Sequence, residues 1–154
     1  MKEVLTKFYT AFTNLDAETM AKCYHSDIVF KDPAFGVLKG EQAKNMWRML
    51  CTSQKGKDFT ITFSNIEANE HIGSAKWEAK YNFSKTGRFV HNKISAQFEF
   101  KDGLIIKHTD TFNLHKWATQ ALGFKGRLIG GTHFFRNKLQ SQTNRLLSKF
   151  ESDK

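Results

Sequence analysis

Three polar residues stand on strand faces that are otherwise apolar: Asp32, His108 and Asp110, with Asn92 as a fourth. Burying a carboxylate without a partner is costly, so each one demands an explanation. Asp32 follows Ile28 and Phe30 on one side of a short strand, because strand side chains alternate, and Pro33 stops that strand. In an apolar setting its pKa would rise toward a value useful for moving protons. The other reading is a turn residue capping local backbone, since Asp-Pro is common in turns. His108 and Asp110 lie two residues apart on one face, so their side chains can be neighbours. That spacing suits an acid/base pair, or a carboxylate orienting a histidine. It equally suits a buried ion pair that satisfies itself. The shared inward face of Asp32 favours the pocket.

The elements that must position these groups follow from periodicity. Val4, Leu5, Phe8, Phe12 and Leu15 form a helical stripe. Asp16 is a good N-cap for a second short helix with Glu18 in its first turn. A strand from Ile28 to Asp32 comes next, then a loop bracketed by Gly36 and Gly40. A third helix starts near Glu41, with Ala43, Met46, Trp47 and Leu50 in line. After Lys57 the period becomes twofold. Four strands are centred on Phe59–Phe63, Ala75–Phe83, Val90–Phe100 and Leu104–Phe112, with a hairpin turn at Lys101-Asp102-Gly103. Helices segregated from a one-sided antiparallel sheet make an α+β fold. A strongly curved sheet around the three helices would leave a conical cavity. Phe124, Leu128 and Ile129 precede Gly130-Gly131. Thr132 can then cap a final helix with Phe135, Leu139, Leu146, Leu147 and Phe150 on one side and a basic, polar face on the other.

Length and composition bound the rest. A chain of 154 residues fits one domain with a core that needs no staples. The 15 phenylalanines suit a curved sheet and an apolar cavity, and equally a bulky solid core. Cys23 and Cys51 fall in helix-like segments without CxxC or Cys/His clusters, which reads as buried free thiols and no metal site. The N-terminus is amphipathic and no apolar run is long enough to span a membrane, so the expected compartment is the cytoplasm. Net charge is +9, and from Thr111 to Phe150 there is no Asp or Glu. That block reads as a solvated basic face, or as a surface for a phosphate-rich partner or an anionic membrane, and the tail that carries it either docks there or closes the pocket mouth. Nucleic acid is not expected as a partner, because the strand lysines point away from the strand aromatics. No phosphate-cradling glycine loop or GxSxG is present.

In this order and spacing the motifs resemble the SnoaL-like and ketosteroid isomerase-like branch of the nuclear transport factor 2-like superfamily. The likeness runs from Met1 to Gly123 and leaves residues 124–154 as a C-terminal helical extension. It rests on Phe8 to Asp32, on Asp32-Pro33-Ala34-Phe35-Gly36 with Gly40-Glu41-Gln42, and on Ile106-Lys107-His108-Thr109-Asp110-Thr111-Phe112. The resemblance implies a conical fold, a deep pocket and usually a homodimer through the outer sheet surface; no cofactor is expected. Asp32 matches the proton-shuttling base of ketosteroid isomerases. Phe8 stands where those enzymes have their oxyanion tyrosine, with Tyr9 one residue on and facing elsewhere, and Ala96 stands at their second Asp. Steroid isomerisation by that route is therefore not expected. Asp110 is the counterpart of the strand-borne acidic base of SnoaL-like cyclases. Limonene epoxide hydrolase-type members need an Asp-Arg-Asp set, and the inward faces here carry no Arg.

Two functions of different classes follow. One is an isomerase, cyclase or lyase moving protons on a small apolar carbonyl compound, with Asp32, His108 and Asp110 as catalytic groups. The other is a non-catalytic binder or sensor of a hydrophobic metabolite. In either, the expected pocket lining is Phe8, Phe12, Phe30, Trp47, Trp77, Tyr81, Asn92, Ala96 and Phe112.

Overall fold

The structure is a computed structural model that describes residues 1–153. Three helices come first: α1 (Lys2–Thr13), α2 (Ala17–Lys22) and, after two strands, α3 (Glu41–Gln54). The strands are β1 (Tyr24–Asp32), β2 (Gly36–Lys39), β3 (Thr60–Ala68), β4 (Ile72–Asn82), β5 (Phe89–Lys101) and β6 (Leu104–Thr111). Three helices end the chain: α4 (Leu114–Leu122), α5 (Phe124–Ile129) and α6 (His133–Ser152). The strands form one curved, unclosed sheet in the order β2-β1-β6-β5-β4-β3. This is the expected α+β architecture.

Local chemistry fixes several boundaries. Asp16 caps α2 by accepting the Thr19 amide, and Thr132 caps α6 by accepting the Phe135 amide. Asp102 and Gly103 both hold positive φ, 53° and 76°, the geometry a two-residue hairpin turn needs between β5 and β6. The register pairs Ala96 with Asp110 and Phe98 with His108.

Three features depart from the expectation. The first strand begins at Tyr24 and pairs in parallel with β6, so the sheet is mixed. The span between Gly36 and Gly40 is not only loop, because Gly36–Lys39 folds back as β2 on β1. Residues 114–122 form a helix where none was foreseen. Its signal was present: Asn113 accepts the Lys116 amide as N-cap, and Leu114, Ala118 and Ala121 are its buried side.

The core lies between the concave face of the sheet and α1, α2 and α3, and α6 adds Leu147 to it. Phe8 and Phe12, expected in the pocket lining, are wholly sealed within this core. Phe8 stacks on Tyr24, and Phe12 packs edge-on against Trp47 and Trp77. The apolar stripe of α1 fills the hollow at that end rather than bordering it. Ala96 is likewise fully enclosed opposite Asp110. Cys23 and Cys51 are buried free thiols.

Tyr9 also faces inward and is fully buried against Phe63, Trp77 and Phe98. Its hydroxyl is enclosed without a hydrogen-bond partner among the described residues. Leaving a buried hydroxyl unpaired costs about 1–3 kcal/mol. Tyr9→Phe is therefore expected to stabilise the chain by about 1 kcal/mol or more in urea denaturation. A loss of stability would show that the hydroxyl is satisfied in solution.

Candidate functional site

A cavity of about 390 Å³ opens between the sheet, α3, α4 and α6. That size suits a small organic ligand. Its walls are mainly apolar: Phe30, Trp47, Trp77, Phe112, Trp117 and Leu139 are among them. Asp32, Asp110, Tyr81 and Asn92 supply polar tips.

The deepest polar feature is a hydrogen-bond chain of four side chains. Trp47 Nε1–H can only donate, and it donates to the Tyr24 hydroxyl oxygen at 2.9 Å. Tyr24 is fully enclosed, so its own proton needs an acceptor, and His108 Nδ1 lies 2.7 Å away. His108 is thereby held in the tautomer with its proton on Nε2, which points at Asp110 Oδ1 at 2.8 Å. Trp77 Nε1–H donates to the same oxygen at 3.3 Å. Asp110 Oδ2 has no hydrogen-bond partner among the described residues. It is also not an enclosed orphan, for Tyr9 Oη is the one such atom among the described residues. Oδ2 is thus the oxygen that Asp110, a lining residue, offers to the cavity.

His108 does not reach the cavity itself. It has no exposure and is packed among Phe8, Phe30, Trp47 and Phe98. The register explains this: His108 sits beside Phe30 of β1 and Phe98 of β5, whose rings close over it. It can act only through Asp110, which makes it a positioning residue rather than one touching a ligand.

Asp32 combines its two alternative roles. Its Oδ1 accepts the Ala34 and Phe35 amides at 3.0 and 2.6 Å, so it does cap the Asp32-Pro33 turn. It also borders the cavity. Burial raises its pKa from 3.8 to about 7, against the lowering effect of the two amides and with some help from the charge of Asp110.

Tyr81 is a donor that alternation flagged only as lining. Its hydroxyl oxygen accepts Trp117 Nε1–H at 2.8 Å, leaving its own proton for a ligand. Burial holds its phenol above the usual range. Asn92 lies diagonally across the β4–β5 ladder, since Asn92 pairs with Ala79 and Tyr81 with Val90. Diagonal neighbours of this kind are about 7–8 Å apart or less, so both can meet one small molecule.

Helix α6 covers one side of the site. Phe135, Leu139, Gln142, Thr143 and Leu146 line the cavity. Gln140, Thr143 and Asn144 hydrogen-bond to the carbonyls of Pro33, Ala34 and Phe35. The extension therefore clamps the turn that carries Asp32. Periodicity found the apolar side of α6, and closing the pocket mouth is one of the two roles expected of it from the sequence.

A curved sheet packed on helices, with a polar-tipped apolar cavity, defines a nuclear transport factor 2-like fold. The chain belongs to the SnoaL-like domain family, which it matches over residues 5–108. No curated protein sequence matches it. Among solved structures, it resembles a limonene epoxide hydrolase-like epoxide hydrolase of M. tuberculosis, with a TM-score of 0.60 and 20% identity over 83% of this chain and 89% of that one. It also resembles a proposed polyketide cyclase of Xanthomonas campestris, with a TM-score of 0.61 and 18% identity over 77% and 93%. A third likeness is to a Catenulispora acidiphila protein of ketosteroid isomerase-like fold in complex with trimethylamine, with a TM-score of 0.63 and 11% identity over 77% and 92%. At these identities the likeness is one of fold. No arginine is among the described residues that line this cavity.

Proposed function

We propose that the chain is a cofactor-independent isomerase, cyclase or lyase that moves protons on a small apolar carbonyl compound. The observation that carries this reading is the pairing of Asp110 and Asp32 on one apolar cavity. One carboxyl is fixed by two N–H donors, and the other is raised to about 7 by burial. Two carboxyls held so differently on one cavity can take different roles.

Asp110 Oδ2 is the base. It takes a proton from the carbon next to a carbonyl, and the C–H electron pair moves to form an enolate with its charge on the carbonyl oxygen. In this reading Tyr81 O–H and the Asn92 amide, both on the cavity wall, donate to that oxygen. Asp32, protonated up to about pH 7, is the acid that returns a proton to a second carbon or to a leaving group. The cycle closes when Asp110 releases its proton and Asp32 regains one. The Trp47–Tyr24–His108 chain prevents Asp110 from rotating out of this pose.

The test is exchange of α-hydrogen for deuterium in heavy water, followed by NMR over a panel of apolar ketones and esters. It requires no knowledge of the final product. Exchange above the buffer rate that vanishes in Asp110→Asn supports the reading. Tight binding of a panel member with no exchange in the wild-type chain supports the carrier or sensor instead.

A further inference from the structure

Helix α5 is built inside out. Gly126 and Gly130 press against Ala118 of α4. A Cβ on Gly126 would overlap the Ala118 carbonyl, and one on Gly130 would collide with the Ala118 methyl. Residues two places to either side of Gly126 stand on the far side of the helix, at about 100° per residue. Those residues are Phe124 and Leu128, and they are 74% and 65% exposed. Phe134, in the first turn of α6, is 69% exposed. An ordinary surface helix turns such side chains inward.

The charges around them are of one sign. Lys125, Arg127, Arg136 and Lys138 are all exposed. Arg88, also exposed, lies against Gly123 at the start of α5. No acidic residue occurs from Thr111 to Phe150 to neutralise them. We propose that the α5–α6 corner docks on an anionic lipid bilayer, with Phe124, Leu128 and Phe134 set among the acyl chains and the lysines and arginines on headgroup phosphates.

Large apolar side chains ringed by cations are what an interfacial membrane contact requires. A second copy of the chain fits less well, because a twofold contact would bring like charges together. Nucleic acid, for which Phe124 and Phe134 offer rings but Leu128 does not, is an outcome that the test below separates. Position adds to the case. Phe135, beside Phe134, and Leu139 and Leu146 further along α6 line the cavity, so the docked corner adjoins its cover. The docking rests on this surface alone and stands whether or not Asp110 is a base.

The experiment is co-sedimentation of the full chain with vesicles of phosphatidylcholine, with and without about one-third phosphatidylserine, at roughly 0.1 M salt. Binding to the anionic vesicles is expected to be at least about tenfold tighter than to neutral ones, and to weaken as salt rises. The triple variant Phe124→Ser, Leu128→Ser, Phe134→Ser and the double variant Lys125→Glu, Arg127→Glu should each lower binding by about tenfold or more. Both change exposed residues only, so unchanged thermal melts will show that they fold. Absence of wild-type binding to the anionic vesicles would overturn the proposal. So would full binding by both variants, tighter binding to an RNA oligonucleotide at the same salt, or a dimer that the triple variant dissolves.

Discussion

Asp110→Asn is expected to lower the rate of α-hydrogen exchange by about 10²–10⁴-fold, the usual worth of a positioned general base. The substitution is a clean one here. The asparagine oxygen can still accept His108 Nε2–H and Trp77 Nε1–H, the two donors that now hold Oδ1. Only the atom facing the cavity changes, from a basic oxygen to an amide nitrogen. The fold should survive, and ligand affinity should fall far less than the exchange rate. Loss of exchange with retained binding separates a missing base from a collapsed pocket. Retained exchange would remove Asp110 from the mechanism and turn attention to Asp32.

Asp32→Asn is expected to stabilise the chain at neutral and higher pH, by up to about 4 kcal/mol at pH 8. The sign follows from burial. Between 3.8 and about 7 the folded chain keeps a proton on Asp32 that the unfolded chain has released. Stability is therefore highest below that interval and declines as pH climbs through it. Asparagine carries no charge at any pH and can still accept the Ala34 and Phe35 amides. The gain should be absent near pH 4, grow through the interval and level off above it, as read by urea denaturation across pH. The same proton matters for turnover. If Asp32 is the acid, wild-type activity falls above about pH 7 as it ionises. Stability and activity then favour the same protonated state, so the variant gains stability and loses the proton donor.

Twofold alternation made most of the site legible. It put Asp32, Asn92, Tyr81 and Asp110 on the concave face, and all four border the cavity. It could not tell depth. His108 shares a face with Asp110 but lies one layer down, where the rings of Phe30 and Phe98 shut it off. Phe8 and Phe12 lie on the apolar stripe of α1, yet that helix fills its end of the hollow instead of lining it. Tyr9 falls outside the simple stripe and is buried nonetheless, because a concave sheet wraps α1 on more than one side. The hydrogen-bond chain through Tyr24 and Trp47 joins residues 23 and 84 positions apart, and no local pattern carries such a link. The cover is similar. Thr132 and the apolar face of α6 announced a helix, but its bonds to Pro33, Ala34 and Phe35 span more than 100 residues.

The most direct measurement is a titration of Asp32 followed by NMR of its carboxyl carbon, in the wild-type chain and in Asp110→Asn. A midpoint near 7 is expected in the wild type, moving down when the charge of Asp110 is removed. A midpoint in the ordinary aspartate range, or one indifferent to Asp110, would contradict two carboxyls facing each other across a single apolar cavity.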